Sequence, residues 1–350
     1  MAAESRPLGF IGAGWVFRNC YAPHLRGAAG PFSLTAVHDP DPAARAAARE
    51  MFAGIAAVES LDALLGLCGA VVIASPNATH LEIAERCLDA GAHCLIEKPV
   101  AVEREDARRL TAAALRGGAI CKPAAVCQFR RDVVAWRSMI VKIGTLETLD
   151  LRWCRADGVP TTRDWQLRRD RGWTGVLADL GYHLVDLAGA VLDYPGDAFV
   201  LRKAERRSKG RATGPKWLGP RCDARYDVDD WIDVEGRIGD VAIRVNAAWC
   251  EDGRTGDVTE LVARGSQGTA RLDGLFGFST QRAVEGQVCR LTDSAGRVLR
   301  EQSFAPGPGL HEEAFGAMLE DFASCLRSRD GRSERQVRFA AGIMQSVAAT

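Results

Sequence analysis

The first third of the chain alternates short apolar runs with helical patterns, and this alternation constrains the fold more than any other feature. The apolar runs lie at 8–11, 34–37, 70–74 and 93–96. Helical patterns of ten or more residues follow the last three runs, at 42–51, 78–90 and 103–115. Short strands that alternate with helices of this length predict βαβ units, and therefore a doubly wound parallel sheet.

The length of the chain predicts a second domain. Its 350 residues exceed what one hydrophobic core usually holds, and we place the domains at 1–127 and 128–350. In the second domain, strand patterns alternate with turn residues at 228–238, 241–249, 258–263 and 269–272. Two helices, at about 310–327 and 334–349, end the chain, and we expect that they can pack back on the first domain.

Composition excludes several classes of protein. The 45 basic and 45 acidic residues balance, so the net charge does not indicate binding to nucleic acid or to a membrane surface. The start, MAAESRPLGF, lacks the apolar core of a signal peptide, and no later run approaches the ~18 apolar residues of a membrane helix. We therefore expect a cytoplasmic protein. The eleven cysteines form no CxxC pair and no zinc-finger pattern, so we expect reduced thiols and no metal.

A Gly-x-Gly pair follows the first apolar run. At the end of a strand, Gly12 allows a tight turn, and Gly14 lets the backbone approach a pyrophosphate at the positive end of the next helix. Asp39, at the end of the second strand, is placed to accept hydrogen bonds from an adenosine ribose, and its charge favours NAD over NADP. Phe17 replaces the third glycine of the GxGxxG motif, at a position that serves helix–strand packing rather than phosphate contact.

The run CLIEKPV ends an apolar strand with an acid, a base and a proline. Glu97 and Lys98 are adjacent, and adjacent strand residues face opposite ways, so a simple ion pair between them does not explain the motif. The carboxyl ends of parallel strands are where open α/β sheets bind ligands. We therefore expect Lys98 to have a functional role at a ligand-binding site.

Together these segments resemble the glucose–fructose oxidoreductase, inositol dehydrogenase and rhizopine catabolism family, abbreviated Gfo/Idh/MocA. FIGAGWV resembles its first strand and phosphate loop, SPNATHLEIAERCLDAGAHCLIEKPV its middle segment, and GVLADLGYHLVDL its signature helix. The resemblance extends loosely over nearly the whole chain. It implies a Rossmann domain that binds NAD, followed by an α+β domain with a large, mostly antiparallel open sheet.

The resemblance implies roles for two loops of the first domain. It places Lys98 at the nicotinamide and the reacting hydroxyl, and it suggests a cis peptide bond before Pro99. Glu97 either anchors this segment or contacts the nicotinamide ribose. The loop that contains Asn77 lines the same ribose, although asparagine is also a common helix cap. The cofactor contacts that we predict in addition to the glycines and Asp39 are Trp15, Val16, Ser75, Pro76, Asn77, His80, Glu97, Lys98 and Trp165.

A helical pattern in the second domain supplies the other half of the predicted site. From residue 176 onward, apolar residues recur every three or four positions. Asp179 and His183 lie four residues apart on a neighbouring face, where the carboxylate can orient the imidazole and support its charged form. An ordinary ion pair is the alternative, and the resemblance to the signature helix favours an acid–base role. The resemblance further implies substrate contacts for Arg130 and Tyr182, although Tyr182 is equally suited to packing.

Residues 202–221 hold eight basic side chains and one acidic one. We expect a solvated loop here, and the alternative is a lid that holds a phosphate or nucleotide of the substrate. The acid-rich stretch 223–235 that follows equally suits an amino sugar. The charge of the substrate therefore stays open.

The combined hypothesis is an NAD-dependent dehydrogenase that acts on a secondary hydroxyl of a sugar, cyclitol or amino sugar, with natural-product sugar biosynthesis as a suggested setting. His183 takes the hydroxyl proton, Asp179 orients His183, and Lys98 stabilises the developing oxyanion. The alternatives are an NAD-dependent glycosidase that works by transient oxidation and elimination, and a non-catalytic NAD-binding regulator. The resemblance also implies a homodimer or homotetramer built through the sheet of the second domain.

Overall fold

The computed structural model describes residues 5–26, 30–160, 164–171, 175–196, 198–213, 223–279 and 281–350, and at 164, 165, 171, 212, 213, 223 and 224 it describes the backbone alone. The chain divides into two compact units. The first unit consists of 1–125 and 315–341, and the second consists of 126–314 and 342–350.

The first unit is built on a parallel sheet. Its strands are β1 (Arg6–Ile11), β2 (Phe32–His38), β3 (Ala56–Val58), β4 (Ala70–Ile73), β5 (His93–Ile96) and β6 (Cys121–Pro123). Its helices are α1 (Ala22–Leu25), α2 (Pro42–Met51), α3 (Leu61–Leu65), α4 (His80–Asp89) and α5 (Arg104–Arg116). The strands pair in parallel in the order β3-β2-β1-β4-β5-β6, which confirms the doubly wound sheet predicted from the sequence.

The strand order reverses at β1, which pairs with β2 on one side and β4 on the other. The loops after these strands meet at their carboxyl ends. The amide of Gly12 donates to the carbonyl of His38 at 2.9 Å, and the amide of Ala74 donates to the carbonyl of Ile11 at 2.8 Å. This reversal is where doubly wound sheets bind ligands, so the fold positions the Gly12 loop at a binding crevice.

Local sequence signals explain why the helices of the first unit begin where they do. The side chain of Asp41 accepts a hydrogen bond from the amide of Ala43 at 2.9 Å, and Pro42 follows it as the first helical residue of α2. The hydroxyl of Ser60 likewise accepts from the amide of Ala63 and begins α3. Each cap satisfies an amide that the helix itself leaves without a partner.

The second unit is built on a larger, mostly antiparallel sheet. Its strands and helices are α6 (Arg131–Ile140), β7 (Leu146–Cys154), α7 (Tyr182–Leu192), β8 (Phe199–Arg207), β9 (Arg211–Thr213), β10 (Asp223–Arg225), β11 (Trp231–Ile238), β12 (Val241–Ala248), β13 (Val258–Gly265), β14 (Gly268–Gly274), β15 (Gln287–Asp293) and β16 (Val298–Phe304). Eight of these strands pair in the order β16-β15-β14-β13-β7-β12-β11-β8, and only β7 and β12 pair in parallel within it. The predicted mostly antiparallel sheet is thereby confirmed.

The two faces of this sheet differ in chemistry. Along β7 the buried Leu149, Leu151 and Trp153 alternate with the partly exposed Asp150 and Arg152. Helices α6 and α7 pack against the sheet. The alternation has the period of a strand with one covered face and one charged face.

Two long helices end the chain, α8 (Gly309–Ser328) and α9 (Arg332–Ala348). In the first unit, the ring of Phe322 stacks on that of Phe32 at 5.3 Å, and Val337 and Ala341 belong to the apolar core of the parallel sheet. The last nine residues belong to the second unit. Each unit therefore uses part of the C-terminal sequence in its own core.

Two segments differ from what their sequence patterns predict. The apolar run over 120–127 predicts a strand of that length, but the strand is confined to β6 because Val126–Phe129 forms a 3-10 turn. The segment 202–221 is not simply a solvated loop, since β8 pairs with β11 at the edge of the sheet. Arg206 within β8 forms an ion pair of 2.6 Å with Asp229. Part of the segment, 214–221, lies outside the described residues.

Two further features concern the chain as a whole. In the part that the structure describes, no helix combines the length and the apolar character that crossing a membrane requires. The ten cysteines within the described ranges are free thiols, as expected from their spacing.

Candidate active site

The loop after β1 has the geometry of a phosphate loop. Gly12 has a φ of +95°, and a Cβ at this position would lie 2.7 Å from the carbonyl carbon and oxygen of Ala74, so the turn requires glycine. A Cβ on Gly14 would meet nothing within 4 Å, so the backbone there borders open space. A helix follows at once, beginning with Trp15. These features fit a pyrophosphate held by backbone amides at a helix N-terminus.

Asp39 is fixed beside this loop. Its Oδ2 accepts a hydrogen bond of 2.8 Å from the amide of Ala13, and its Oδ1 accepts one of 2.9 Å from the amide of Asp41. Each carboxylate oxygen has a further lone pair that can accept from a ribose hydroxyl. The position at the end of β2 fits the adenosine ribose of a dinucleotide, in agreement with the sequence prediction.

The residue in place of the third glycine packs as an aromatic core residue. Phe17 is fully buried, and its ring lies 4.7 Å from that of Phe10 on β1. The helix there is π-helical over Phe17–Tyr21. An aromatic pair therefore joins helix and strand where a glycine would allow direct backbone contact, and the phosphate loop itself keeps its shape. Trp15 and Val16, which precede this turn, are both partly exposed.

The motif of Glu97 and Lys98 is anchored from the same helix. The phenol of Tyr21, which is fully buried, donates a hydrogen bond of 2.7 Å to Oε1 of Glu97. Oε2 of Glu97 accepts from the amide of Lys98 at 3.2 Å. Of the two interpretations of Glu97, the structure supports the anchoring one. The peptide bond between Lys98 and Pro99 is cis, as the resemblance suggested.

His80 connects the Lys98 segment to the neighbouring loop. Its Nε2 lies 2.8 Å from the carbonyl oxygen of Ser75, and its Nδ1 lies 3.2 Å from that of Pro99. The ring is 2% exposed, and this burial lowers the pKa of His80. These contacts hold His80 between the two loops, and the cofactor contact predicted for it stays a prediction. Ser75, Pro76 and Asn77 themselves form the loop after β4, at the carboxyl edge of the sheet.

In the second unit, a π-helical turn over Leu177–Gly181 precedes α7 and carries Asp179. Oδ2 of Asp179 accepts a hydrogen bond of 2.9 Å from Nε1 of Trp249 and lies 3.9 Å from Nη1 of Arg155. The ring of His183 lies 5.7 Å from that of Trp153. The predicted acid–base residues thus stand among tryptophans and an arginine that hold the carboxylate in place.

Three other residues of the predicted site lie in the core of this unit. Arg130 is fully buried, and its guanidinium pairs with Asp132 at 2.7 Å. Tyr182 is also fully buried. Asp186, three residues after His183 on α7, accepts hydrogen bonds from Tyr194 at 3.0 Å and Gln128 at 3.2 Å. Burial of these side chains favours packing for Tyr182 and Asp186, and the substrate contact predicted for Arg130 stays a prediction.

Sequence reasoning missed several residues around the site. Trp153, Trp249 and Tyr21 are buried aromatics whose sequence context does not differ from that of ordinary core residues. Their hydrogen bonds and ring contacts connect positions far apart in the chain, so no local pattern indicates them. The side chain of Trp165 lies outside the description, and its backbone belongs to a short 3-10 helix at 164–167.

Fold and site define a dinucleotide-binding oxidoreductase. The family model described as "Oxidoreductase family, NAD-binding Rossmann fold" matches residues 7–124. The chain is 32% identical over 285 residues to the putative UDP-kanosamine synthase oxidoreductase subunit of Amycolatopsis mediterranei, which covers 79% of this chain and 77% of that protein. The chain belongs to the Gfo/Idh/MocA family of NAD-binding oxidoreductases.

Solved structures share the complete fold. The 3-ketoreductase KijD10 from Actinomadura kijaniata, in complex with NADP and TDP-benzene, matches 99% of this chain and 98% of its own with a TM-score of 0.74 at 21% identity. The WlbA dehydrogenase from Bordetella pertussis, in complex with NADH and UDP-GlcNAcA, matches 99% of this chain and 96% of its own with a TM-score of 0.74 at 17% identity. At these identities the likeness establishes the fold alone.

Proposed function

We propose that the protein is an NAD-dependent oxidoreductase that interconverts a secondary hydroxyl and a ketone on a nucleotide-linked sugar or amino sugar in natural-product biosynthesis. The observation that carries the proposal is the similarity to the putative UDP-kanosamine synthase oxidoreductase subunit, since it covers more than three quarters of both chains. The structural neighbours that hold NADP with TDP-benzene and NADH with UDP-GlcNAcA agree in the class of ligand.

The residues of the first unit hold the cofactor and polarise the substrate in this proposal. Gly12 and Gly14 shape the loop for the pyrophosphate, and Asp39 accepts from the adenosine ribose. When bound, NAD supplies the hydride acceptor at its nicotinamide ring. Lys98 donates to the substrate oxygen and stabilises its negative charge as the alkoxide forms. Glu97 and Tyr21 hold the backbone of Lys98 in place for that task.

The residues of the second unit move the proton. His183 takes the hydroxyl proton as general base. Asp179 orients and supports the imidazole, as a carboxylate one helical turn away can do. Trp249 and Arg155 keep the Asp179 carboxylate in position. In the direction of ketone reduction the same groups act in reverse, with His183 returning the proton.

We also propose self-association through the charged face of the eight-stranded sheet. Ion pairs cross this face, including Arg244 with Asp233 at 2.6 Å and Arg271 with Glu260 at 2.7 Å. A two-fold contact would bring such pairs together with their copies. Light scattering during size exclusion tests this: Arg244→Glu should lower the mass of the assembly, whereas Arg108→Glu on the exposed face of α5 should leave it unchanged. A monomeric wild-type protein would contradict the proposal.

The activity is tested by following NADH absorbance with a panel of UDP-sugars, TDP-sugars, glucosides and inositols. Lys98→Ala and His183→Ala should each lower kcat by at least about a hundredfold, because each removes a group that acts on the substrate oxygen. Lys142→Ala, at an exposed position after α6, is the matched control and should keep full activity. Unchanged turnover in both site variants would rule out the assigned roles.

A further inference from the structure

Several buried polar atoms of the described chain have no hydrogen-bond partner, and six of them lie on five residues of the second unit. These six are Nε1 of Trp153, Nε and Nη1 of Arg282, Nη1 of Arg130, Nε2 of Gln287 and Oδ2 of Asp257. Others, such as Oγ1 of Thr148 and Oε1 of Gln166, do not belong to this group. A buried donor without a partner costs about 1–3 kcal/mol. Several such donors within one folded region therefore indicate an acceptor that the polypeptide does not itself provide.

The donors belong to one connected cluster. The guanidinium of Arg130 lies 4.2 Å from the ring centroid of Phe276, and its Nη2 donates to Oε1 of Gln287 at 2.7 Å. The ring of Trp153 lies 5.6 Å from that of Phe276. Because Gln287 uses its oxygen on Arg130, its amide nitrogen is left as a donor. Phe276 thus joins the arginine and tryptophan ends of the cluster.

Close backbone approach fixes the position of Arg282. Its strand segment forms an isolated parallel bridge with Asp257. A Cβ on Gly256 would lie 2.9 Å from the carbonyl carbon of Arg282, so only glycine allows this approach. A Cβ on Gly277 would lie 3.2 Å from the ring of Trp153. The loop that carries Arg282 is therefore packed tightly against its neighbours.

The charge of the cluster is not balanced. Asp132 neutralises Arg130 through two hydrogen bonds of 3.1 and 2.7 Å. Arg282 forms no ion pair and no hydrogen bond with any residue of the described chain, and Asp257 uses Oδ1 on the amide of Ala156 at 2.8 Å. Burial, and then the charge of Arg130, lower the pKa of Arg282. A second guanidinium held beside the first favours a negatively charged ligand.

We propose that Arg282 binds an anionic oxygen group of the substrate, either a phosphate or a carboxylate. This inference rests on the proposed function, because the ligand is part of the sugar substrate. Guanidinium groups are the side chains best suited to both anions. Trp153 connects the cluster to the acid–base residues, since its ring also contacts that of His183 at 5.7 Å.

The test is calorimetric titration of the NAD-loaded protein with UDP-glucose, UDP, glucuronate and glucose at low and high salt. Arg282→Ala should weaken binding of the anionic probes by at least about tenfold and reduce the salt dependence of Kd. Arg282→Lys should restore part of the affinity. Arg297→Ala, in the turn between β15 and β16, is the matched control and should bind as the wild type does.

The probes distinguish the two sources of the anion. A phosphate site binds UDP and UDP-glucose but not glucuronate, and a carboxylate site binds glucuronate but neither nucleotide. Equal Kd and equal salt dependence in wild type and Arg282→Ala would overturn the inference. So would the failure of every anionic probe to bind, because water would then satisfy the donors.

Failure of this inference and failure of the proposed function give different results. If the wild type oxidises a neutral sugar and Arg282→Ala does so with the same KM, the dehydrogenase proposal stands and the anion site falls. If Lys98→Ala and His183→Ala keep full turnover while Arg282→Ala loses anion binding, the anion site stands and the assigned chemistry falls.

Discussion

The phenol of Tyr21 donates a hydrogen bond of 2.7 Å to Oε1 of Glu97, and this bond ties the helix of the phosphate loop to the residue before Lys98. Burial, followed by the charge of Glu97, raises the pKa of Tyr21 well above its ordinary value. The phenol therefore stays protonated and remains a donor over the whole range in which the enzyme would work. One buried contact thus connects the helix after the Gly12 loop to the segment that carries Lys98.

Tyr21→Phe tests whether Tyr21 positions the backbone of Lys98 or only stabilises the folded protein. Loss of the donor leaves the Glu97 carboxylate without its buried partner from the helix, so the backbone of Lys98 is held less well. We expect kcat to fall about ten- to a hundredfold, while the Kd for NAD changes little because the Gly12 loop is intact. Steady-state kinetics and NAD titration by fluorescence provide both quantities.

The control for Tyr21→Phe is a substitution elsewhere in the same unit that lowers the stability of the protein by a similar amount. Ser60→Ala removes the cap of α3 and should cost about 1 kcal/mol of stability. It should leave kcat unchanged. An equal loss of kcat in both variants would mean that Tyr21 acts only through stability.

Trp249→Phe tests the support of Asp179. The substitution removes the hydrogen bond of 2.9 Å from the indole to Oδ2, so the carboxylate can turn away from the orientation that serves His183. We expect kcat to fall about tenfold with no change in the Kd for NAD. Trp136→Phe is matched, because Trp136 is also fully buried and donates at 2.9 Å to the carbonyl of Ala270. If the control loses kcat equally, the Trp249 contact has no specific role.

The sequence predicts the first unit well because its signals are local. Strand–helix alternation, the Gly12 turn and the cap at Asp41 each depend on residues a few positions apart. The placement of Lys98 at the carboxyl end of a strand follows from the same alternation. The cis bond before Pro99 came from the family resemblance, and the structure agrees with it.

The second unit is predicted less well because its contacts join distant segments. β8 looked like a basic loop, since its charged side chains hide the pairing with β11 that defines it as an edge strand. Only the fold shows that Asp132 and Gln287 enclose the guanidinium of Arg130, since Gln287 lies 157 positions away in the sequence. Arg282 lies in no sequence motif, and the role proposed for it depends on the absence of side-chain partners within the described residues.

Asp39→Asn should change the choice of cofactor. The neutral amide can still accept from the amide of Ala13 through its oxygen, but it no longer repels a 2′-phosphate. We expect the ratio of kcat/KM for NAD to that for NADP to fall at least about tenfold. Asp41→Asn is the control, because asparagine also caps helices and the residue lies two positions away. A wild-type preference for NADP would contradict the assignment of Asp39.

The burial of His80 predicts that the protein loses stability as the pH falls. Burial lowers the pKa of His80 in the folded protein below the ordinary value of 6.5, so the folded state resists taking up the proton that the unfolded chain accepts. Its contribution to the free energy of unfolding is therefore complete above about pH 6.5 and is lost as the pH falls toward the folded pKa. Chemical unfolding at about pH 7.5 and about pH 5.5 measures this for wild type and His80→Asn. The difference between the two proteins should shrink at the lower pH, whereas the difference for Ser60→Ala, which removes no titrating group, should stay constant. If the difference in unfolding free energy between wild type and His80→Asn increased at the lower pH, the buried ring between Ser75 and Pro99 would be charged.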